Sequence, residues 1–192
     1  MKVTIESLND FSDEVKERLA QRTDTSAVLL KALAFDESAY VRRAVAENKN
    51  TPTETLTLLA KDENEYVRWV VAKNKNTPPE TLAQLAEDED SDIRGIVAEN
   101  KNTSVETLAL LAQDKERWVR SEVAQNKNTS AETLAVLAKD VDIDVRCAVV
   151  ENKNTSVETL VMLSKDKELC VSENAKKVFK ERKEKGKTNM ER

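Results

Sequence analysis

Carboxylate and guanidinium groups at fixed spacing are the most regular reactive groups in this chain. An aspartate recurs every 26 residues, and in every copy but the last an arginine follows it by six residues. The aspartates are Asp36, Asp62, Asp88, Asp114, Asp140 and Asp166; the arginines are Arg42, Arg68, Arg94, Arg120 and Arg146. An exposed row of guanidinium groups would bind anions, but helical register puts each arginine at the core edge, where its charge needs a partner. Because every copy carries the pair, we predict a structural Asp–Arg ladder that joins neighbouring repeats.

Aromatic residues fall on two other columns, which differ from copy to copy. The position before the repeated valine holds Tyr40, Tyr66, Asp92, Trp118, Asp144 and Cys170. The position after the repeated arginine holds Arg43, Trp69, Gly95, Ser121, Cys147 and Glu173. The two columns are three residues apart, so they share one exposed stripe of a helix, and Trp and Tyr dominate binding hot spots.

We therefore predict that this stripe binds a partner, with packing between repeats as the alternative role of the rings. The predicted binding residues are Tyr40, Arg43, Tyr66, Trp69, Asp92, Trp118 and Asp144. Asp92, Asp144 and Glu151 would select basic groups on that partner.

Residue types needed for catalysis and metal binding are scarce. The chain has no His, which removes the commonest general base and metal ligand. Cys147 and Cys170 form no CxxC pair, so we expect two surface thiols. Four acidic residues have calcium-loop spacing, but Ile93 stands where the loop needs Gly, which favours a solvated acidic turn. We predict no catalytic residue, no metal and no cofactor.

The elements that carry these columns are short helices. Asn-Lys-Asn-Thr occurs five times at a spacing of 26 residues, from Asn48 to Asn152, which indicates stacked repeats. Thr51 and Glu54 have the spacing of a helix-starting capping box, and Asn74 is suited to a left-handed helix end. We predict an all-α, right-handed α-solenoid of six two-helix repeats, with helices of about 8–10 residues.

The predicted domain boundaries lie where the repeat pattern or the charge of the chain changes. Residues 1–21 match half a repeat and are predicted to cap the array, which occupies residues 22–177. Residues 178–192 are predicted to be a basic tail. From Lys176 to Arg192 the chain has eight Lys or Arg against three Glu, a charge of +5, so the preceding residues carry −10. An array this acidic is a poor general binder of nucleic acid.

The repeated residues resemble the leucine-rich repeat variant family. The match in one copy is carried by Asp62, Val67-Arg68, Val71-Ala72, Asn74, Thr77-Pro78, Leu82 and Leu85-Ala86. The Asp and Val-Arg core is also similar to HEAT repeats. The resemblance implies a right-handed superhelix whose second helices line the concave face, and a binding scaffold. The family's founding example holds an iron–sulfur cluster with N-terminal Cys, and residues 1–40 here contain none.

The predicted function is a non-enzymatic scaffold that binds a protein or peptide on the concave face. One alternative is a HEAT-like nucleic-acid-binding or DNA-repair-type protein, and another is a self-assembling structural module. No apolar run resembles a signal peptide or a membrane span, so we expect a cytoplasmic monomer that does not enter a membrane.

Overall fold

The computed structural model describes residue 8 and residues 10–190, with side chains described as far as residue 184. Within that part of the chain the elements are thirteen α-helices and there is no strand. The first helices of the repeats are α2 (Ala27–Leu33), α4 (Thr53–Leu59), α6 (Pro79–Leu85), α8 (Val105–Leu111), α10 (Ala131–Leu137) and α12 (Val157–Leu163). The second helices are α3 (Ala39–Glu47), α5 (Glu65–Lys73), α7 (Ser91–Glu99), α9 (Arg117–Gln125), α11 (Ile143–Glu151) and α13 (Leu169–Met190). The predicted all-α solenoid of six two-helix repeats is confirmed, and α1 (Asp13–Gln21) precedes it.

Two compact units divide the chain, Met1–Asn102 with α1 to α7 and Thr103–Arg192 with α8 to α13. In the first unit α1 packs on α3, α3 on α5 and α5 on α7. In the second unit α9 packs on α11, and α11 on α13. Within each unit the first helices pack on the neighbouring second helices, as α4 does on α3 and α5 and as α10 does on α9 and α11. The second helices therefore form the continuous layer of each unit.

The predicted domain boundaries at residues 21 and 177 stay predictions. Residues 1–7 and 9 of the proposed half-repeat, and residues 191–192 of the proposed tail, lie outside the described residues. α1 occupies the position of a second helix, and α13 continues through residue 177 to Met190.

The buried residues of the core recur with the period of the sequence repeat. In the second full repeat Leu56 and Leu59 of α4 meet Val67, Val71 and Ala72 of α5, and all five are at most 2% exposed. These positions follow the three- and four-residue spacing that puts side chains on one helical face. Fully burying one such leucine stabilises the fold by about 1.5–3 kcal/mol.

Helix starts differ from the prediction by one residue. In the second unit the Ser156 hydroxyl, and not that of Thr155, accepts a backbone N–H of the first turn, that of Thr159, at 3.1 Å. Ser104 and Ser130 cap α8 and α10 in the same way. The threonine hydroxyl instead donates to the last turn of the preceding second helix, as Thr155 does to the Val149 carbonyl. The predicted capping box on the threonine is therefore wrong.

Helix ends also differ from the prediction. No non-glycine residue among those described has a positive φ, and Asn74 is extended at φ −67° and ψ 130°. Its carboxamide nitrogen donates to the Ala46 carbonyl at 2.7 Å and to the Asn48 carbonyl at 3.3 Å. Its carboxamide oxygen accepts the Asn76 amide at 2.9 Å. The asparagine therefore ends the helix by bonding to the preceding repeat, not by turning left-handed.

Candidate binding face

Ion pairs link successive repeats within each unit. Arg42 forks onto the Asp62 carboxylate, with Nε to Oδ2 at 2.6 Å and Nη2 to Oδ1 at 2.9 Å. Its remaining nitrogen, Nη1, donates to the carbonyls of Asp36 and Glu37, both at 2.9 Å. The same fork joins Arg68 to Asp88, Arg120 to Asp140 and Arg146 to Asp166. These guanidinium groups lie against protein acceptors, so the geometry fits a joint between repeats better than an anion site.

A lysine takes the place of arginine at the start of the array. Lys16 of α1 lies 2.8 Å from the Asp36 carboxylate, and both side chains are mostly buried. Hydrogen bonding to Asp36 raises the pKa of Lys16, which keeps its ammonium charged. α1 therefore meets the first repeat through the same type of contact that joins later repeats.

The second-helix stripe of the first unit consists of Tyr40, Arg43, Tyr66, Trp69, Asp92 and Gly95. Tyr40 and Tyr66 are 66% and 64% exposed, which is high for aromatic side chains. The Arg43 guanidinium lies 5.7 Å from the Tyr40 ring centre and 3.6 Å from the Glu17 carboxylate. Packing between repeats would bury the tyrosine rings, so their exposure favours a surface role.

Trp69 is half-buried at the wall of a depression of about 380 Å³. Val70 lies beside it, and Lys49, Lys73 and Lys75 stand around the rim with Glu47. The Lys73 ammonium covers the Trp69 ring at 4.6 Å from its centre, a cation–π contact. The ring therefore combines an apolar surface with nearby positive charge.

The stripe continues separately in the second unit, where it consists of Trp118, Ser121, Asp144, Cys147, Cys170 and Glu173. Trp118 is half-buried. The Asp144 carboxylate contacts Arg117 Nη1 at 3.0 Å, and Asp142 contacts the same atom at 3.2 Å. Asp144 thus has a partner inside the protein, which weakens its role as a selector of basic groups.

The Cys147 thiol is not poised for nucleophilic chemistry. Both cysteines are free, with Cys147 half-buried and Cys170 exposed. Burial, followed by the neighbouring Cys170 side chain, raises the pKa of the Cys147 thiol to about 11. A thiol with this pKa stays protonated near neutral pH, and the thiolate is the reactive form.

The acidic residues with calcium-loop spacing do not assemble as a loop. The Asp88 carboxylate is held by Arg68 at 2.7 Å and 3.1 Å, and Asp90 accepts the Asp92 amide at the start of α7. Among the described residues, no group of three or more His, Cys, Asp or Glu side chains is arranged to hold a metal ion. In the same part of the chain, no helix is both long enough and apolar enough to cross a membrane.

Sequence reasoning missed the lysines around Trp69. Lys73 stands in the register position that holds Glu47, Glu99, Gln125 and Glu151 in other second helices. A comparison of this third column would have singled it out, because within the first unit the column is positively charged only in the repeat that carries Trp69. The other lysine of the column is Lys177, in α13 of the second unit.

Apolar side chains are also exposed on the first helices. Val28 is 65% exposed on α2 and Leu58 is 41% exposed on α4. In the second unit Leu110, Val136 and Val157 are likewise exposed. These valines and leucines offer a competing surface. The first helices themselves have no aromatic residue, and Phe35, 66% exposed, lies in the turn after α2.

Comparisons with known proteins agree with the repeat pattern. The sequence profile described as leucine rich repeat variant matches residues 40–64. A solved structure of a leucine-rich repeat variant with a novel repetitive structural motif is similar to this chain, with a TM-score of 0.70 and 33% identity. That match covers 92% of this chain and 72% of the other.

Two more distant structures also match. YibA of Escherichia coli has 19% identity and a TM-score of 0.49, over 91% of this chain and 75% of its own. An archaeal HEAT-like repeats protein from Thermococcus onnurineus NA1 has 13% identity and a TM-score of 0.49, and the match covers 94% of this chain and 97% of the other. A search of curated proteins found no match.

Proposed function

This chain belongs to the leucine-rich repeat variant family, and we propose that it is a non-enzymatic binding protein. Its helical-repeat scaffold holds a segment of a partner protein against the second-helix stripe, on the concave side of the stacked helices. Stacked repeats offer an extended surface on which exposed residues change from copy to copy while the core stays constant.

Exposure of the tyrosines is the observation that carries this proposal. Tyr40 and Tyr66 are about two-thirds exposed, on successive second helices that pack directly on each other. Trp69 lies one helical turn beyond Tyr66 and lines a depression. Rigid aromatic side chains beside a pocket are the usual anchors of protein interfaces.

The direct packing of second helices supports a concave placement of the stripe. α3, α5 and α7 contact one another in succession, whereas the first helices pack chiefly on second helices. Helices on the inner side of a curved stack lie closer together than those on the outer side. The stripe residues would then face a partner segment from several repeats at once.

The charge of the partner is a separate question. The sequence predicts basic groups on the partner, selected by Asp92, Asp144 and Glu151. Asp144 instead contacts Arg117, and the charged residues that line the depression beside Trp69 are three lysines and one glutamate.

Selection from a displayed library of random peptides tests the proposal. The full chain is compared with a Tyr66→Ala/Trp69→Ala variant and with a Val28→Ala/Leu58→Ala control, which removes exposed apolar side chains from the first helices of the same unit. We expect peptides enriched on the wild type and the control but not on the stripe variant. No enrichment on the wild type, or equal enrichment on all three proteins, would contradict the proposal.

A further inference from the structure

Two neighbouring depressions lie at the carboxyl ends of α5 and α7 in the first unit. One, of about 380 Å³, contains Trp69 and Val70. The other, of about 280 Å³, contains Ile96. Lys73 and Lys75 line both depressions, so these two side chains form the ridge between them.

Positive charge gathers around these depressions. Lys49, Lys73 and Lys75 line the first depression, where Glu47 is the one carboxylate of the lining. Lys73, Lys75 and Lys101 line the second with Glu99. Each depression therefore has three ammonium groups against one carboxylate, although the first 175 residues carry −10.

The turn lysines alone do not explain this concentration of charge. Every Asn-Lys-Asn turn supplies one lysine, which complements the negative end of the preceding helix. Lys73 is a second cation, at the position where α3, α7, α9 and α11 have Glu or Gln; α13, in the second unit, has Lys177 there. The Lys73 ammonium lies over Trp69, so the added charge is placed at the aromatic wall.

We propose that these two depressions bind an acidic, extended segment of a partner protein. Apolar side chains of the segment fill the depressions at Trp69 and at Ile96, and its carboxylates contact Lys73 and Lys75 on the ridge between them. This inference rests on the proposed function and specifies the partner's chemistry.

The spacing of the depressions sets the register of that segment. Packed helices lie roughly 8–10 Å apart. A polyproline II segment advances about 3.1 Å per residue with three residues per turn, so every third side chain faces the same way at about 9 Å intervals. An acidic segment with an apolar residue at every third position therefore matches successive depressions.

A protein segment fits this surface better than nucleic acid does. Glu47 and Glu99 stand among the lysines and would lie near any continuous phosphate backbone. The acidic charge of the array also repels a long polyanion, whereas a short peptide places its few carboxylates at chosen lysines.

Fluorescence anisotropy with defined probes tests the inference. The probes are labelled peptides of Leu-Glu-Pro repeats, matched Leu-Gln-Pro and Leu-Lys-Pro peptides, and a single-stranded DNA oligonucleotide. The proteins are the full-length wild type, Lys73→Glu, and Lys153→Glu, which makes the same charge change at an exposed turn of the second unit.

We expect the Leu-Glu-Pro peptide to bind the wild type about tenfold more tightly than the Leu-Gln-Pro peptide. Lys73→Glu should weaken the Leu-Glu-Pro peptide by about tenfold, and Lys153→Glu should leave its affinity unchanged. Unchanged urea midpoints would show that both variants are folded.

Other outcomes overturn the inference in distinguishable ways. An acidic partner is refuted if the neutral or basic peptide binds equally or more tightly, or if the acidic peptide does not bind. The proposed function still stands in that case if the library gives peptides whose enrichment depends on Tyr66 and Trp69. Tighter binding of DNA, with loss in Lys73→Glu, assigns the lysines to nucleic acid. If the library also gives no enriched peptide, the proposed function fails as well.

Discussion

At the scale of single residues, a repeated arginine such as Arg120 joins its own turn to the following repeat. Arg120 forks onto Asp140 of the following repeat and donates to two carbonyls, of Asp114 and Lys115, in its own turn. Asp140 in turn accepts the Asp142 amide ahead of α11. Removing the arginine leaves a mostly buried carboxylate without its counter-ion, the situation in which ion pairs matter most.

Arg120→Ala should therefore lower the free energy of unfolding by about 3 kcal/mol. The matched control is Arg117→Ala on the same helix, because Arg117 is 64% exposed while it contacts Asp142 and Asp144. Because solvent screens an exposed pair, the loss for Arg117→Ala should be much smaller. Urea unfolding followed by circular dichroism measures both, and equal losses would contradict a structural role specific to the buried arginine.

The same pairs determine how stability depends on pH. The hydrogen bond from Arg146, against the opposing effect of burial, lowers the pKa of Asp166. Burial alone would raise the pKa of Asp140, but hydrogen bonds from Arg120 and from the Asp142 amide outweigh it, and the net change is downward. A carboxyl whose pKa is lower in the folded state stabilises the fold above its unfolded pKa of about 4. That stabilisation is lost as pH falls through the folded-state pKa.

We expect stability to change little between about pH 5 and 8 and to fall steeply below about pH 4. The chain has no histidine to titrate in the upper range. Urea midpoints are measured across this pH series for the wild type and for Arg120→Ala, which removes one ion pair. The stability of the variant should fall less steeply with acid than that of the wild type. A decline that is already complete by about pH 5, or an identical slope in the variant, would contradict this assignment.

At the scale of elements, the Asn-Lys-Asn-Thr turn holds two repeats together. Asn152 is buried, and its nitrogen donates to the carbonyls of Ala124 and Asn126 at 2.6 Å and 2.9 Å. Its oxygen accepts the Asn154 amide at 2.9 Å. The turn therefore gives the Ala124 carbonyl at the end of the preceding second helix a partner, and it adds a second bond to the Asn126 carbonyl, which also accepts the Thr129 amide.

Asn152→Ala should lower the free energy of unfolding by about 2 kcal/mol or more, because it leaves the Ala124 carbonyl unpaired and removes the other bonds of the carboxamide. Lys153→Ala, at the neighbouring exposed position, should change it by less than about 0.5 kcal/mol. Thermal or urea unfolding of the full chain measures the difference. Similar values for the two variants would show that the asparagine contacts do not hold the repeats together.

The sequence predicts the repeats well and their turns poorly. The spacing of Leu56, Leu59, Val67 and Val71 is enough to predict the two helices and the buried face of each repeat, because helical periodicity is local. The role of Asn74 is not local, since its acceptors Ala46 and Asn48 lie in the preceding repeat. Local preference for a left-handed helix end was therefore a misleading guide.

The helix starts fail for a related reason. Thr155 and Ser156 both have hydroxyl groups that can cap a helix, and local sequence does not rank them. Packing of the preceding second helix brings the Val149 carbonyl to Thr155, which leaves the cap to Ser156.

At the scale of the whole molecule, the repeat pattern ends where the chain changes its contacts. The next asparagine of the series would fall at Val178. Arg182 on α13 instead donates to the Asn152 carbonyl at 2.8 Å and also to that of Thr155. In the last helix, Arg182 therefore takes the place of the asparagine that would bond to this turn from a following repeat.

Arg182→Ala should speed amide hydrogen exchange in α13 beyond residue 175, because the helix loses its contact with the turn at Asn152. Lys183→Ala, an exposed neighbour, is the control and should leave exchange unchanged. Equal exchange in Arg182→Ala and wild type would show that α13 is held by other contacts.

The binding face is only partly predictable. The stripe with Tyr40, Tyr66 and Trp69 follows from register, because two exposed columns three residues apart must share a helical face. The depressions do not follow from register, because they depend on contacts between repeats. Trp69 lies beside Lys49 of the preceding turn, and the sequence alone does not show how close two successive repeats come.

Fluorescence of Trp69 during peptide binding tests the central claim most directly. In a Trp118→Phe variant Trp69 is the sole tryptophan, and the peptide enriched most strongly from the displayed library is titrated while anisotropy reports its binding. We predict that the Trp69 emission maximum moves to shorter wavelength with the same midpoint as the anisotropy, because a partner segment covers the ring. A peptide that binds fully while Trp69 emission stays unchanged would contradict binding at the second-helix stripe.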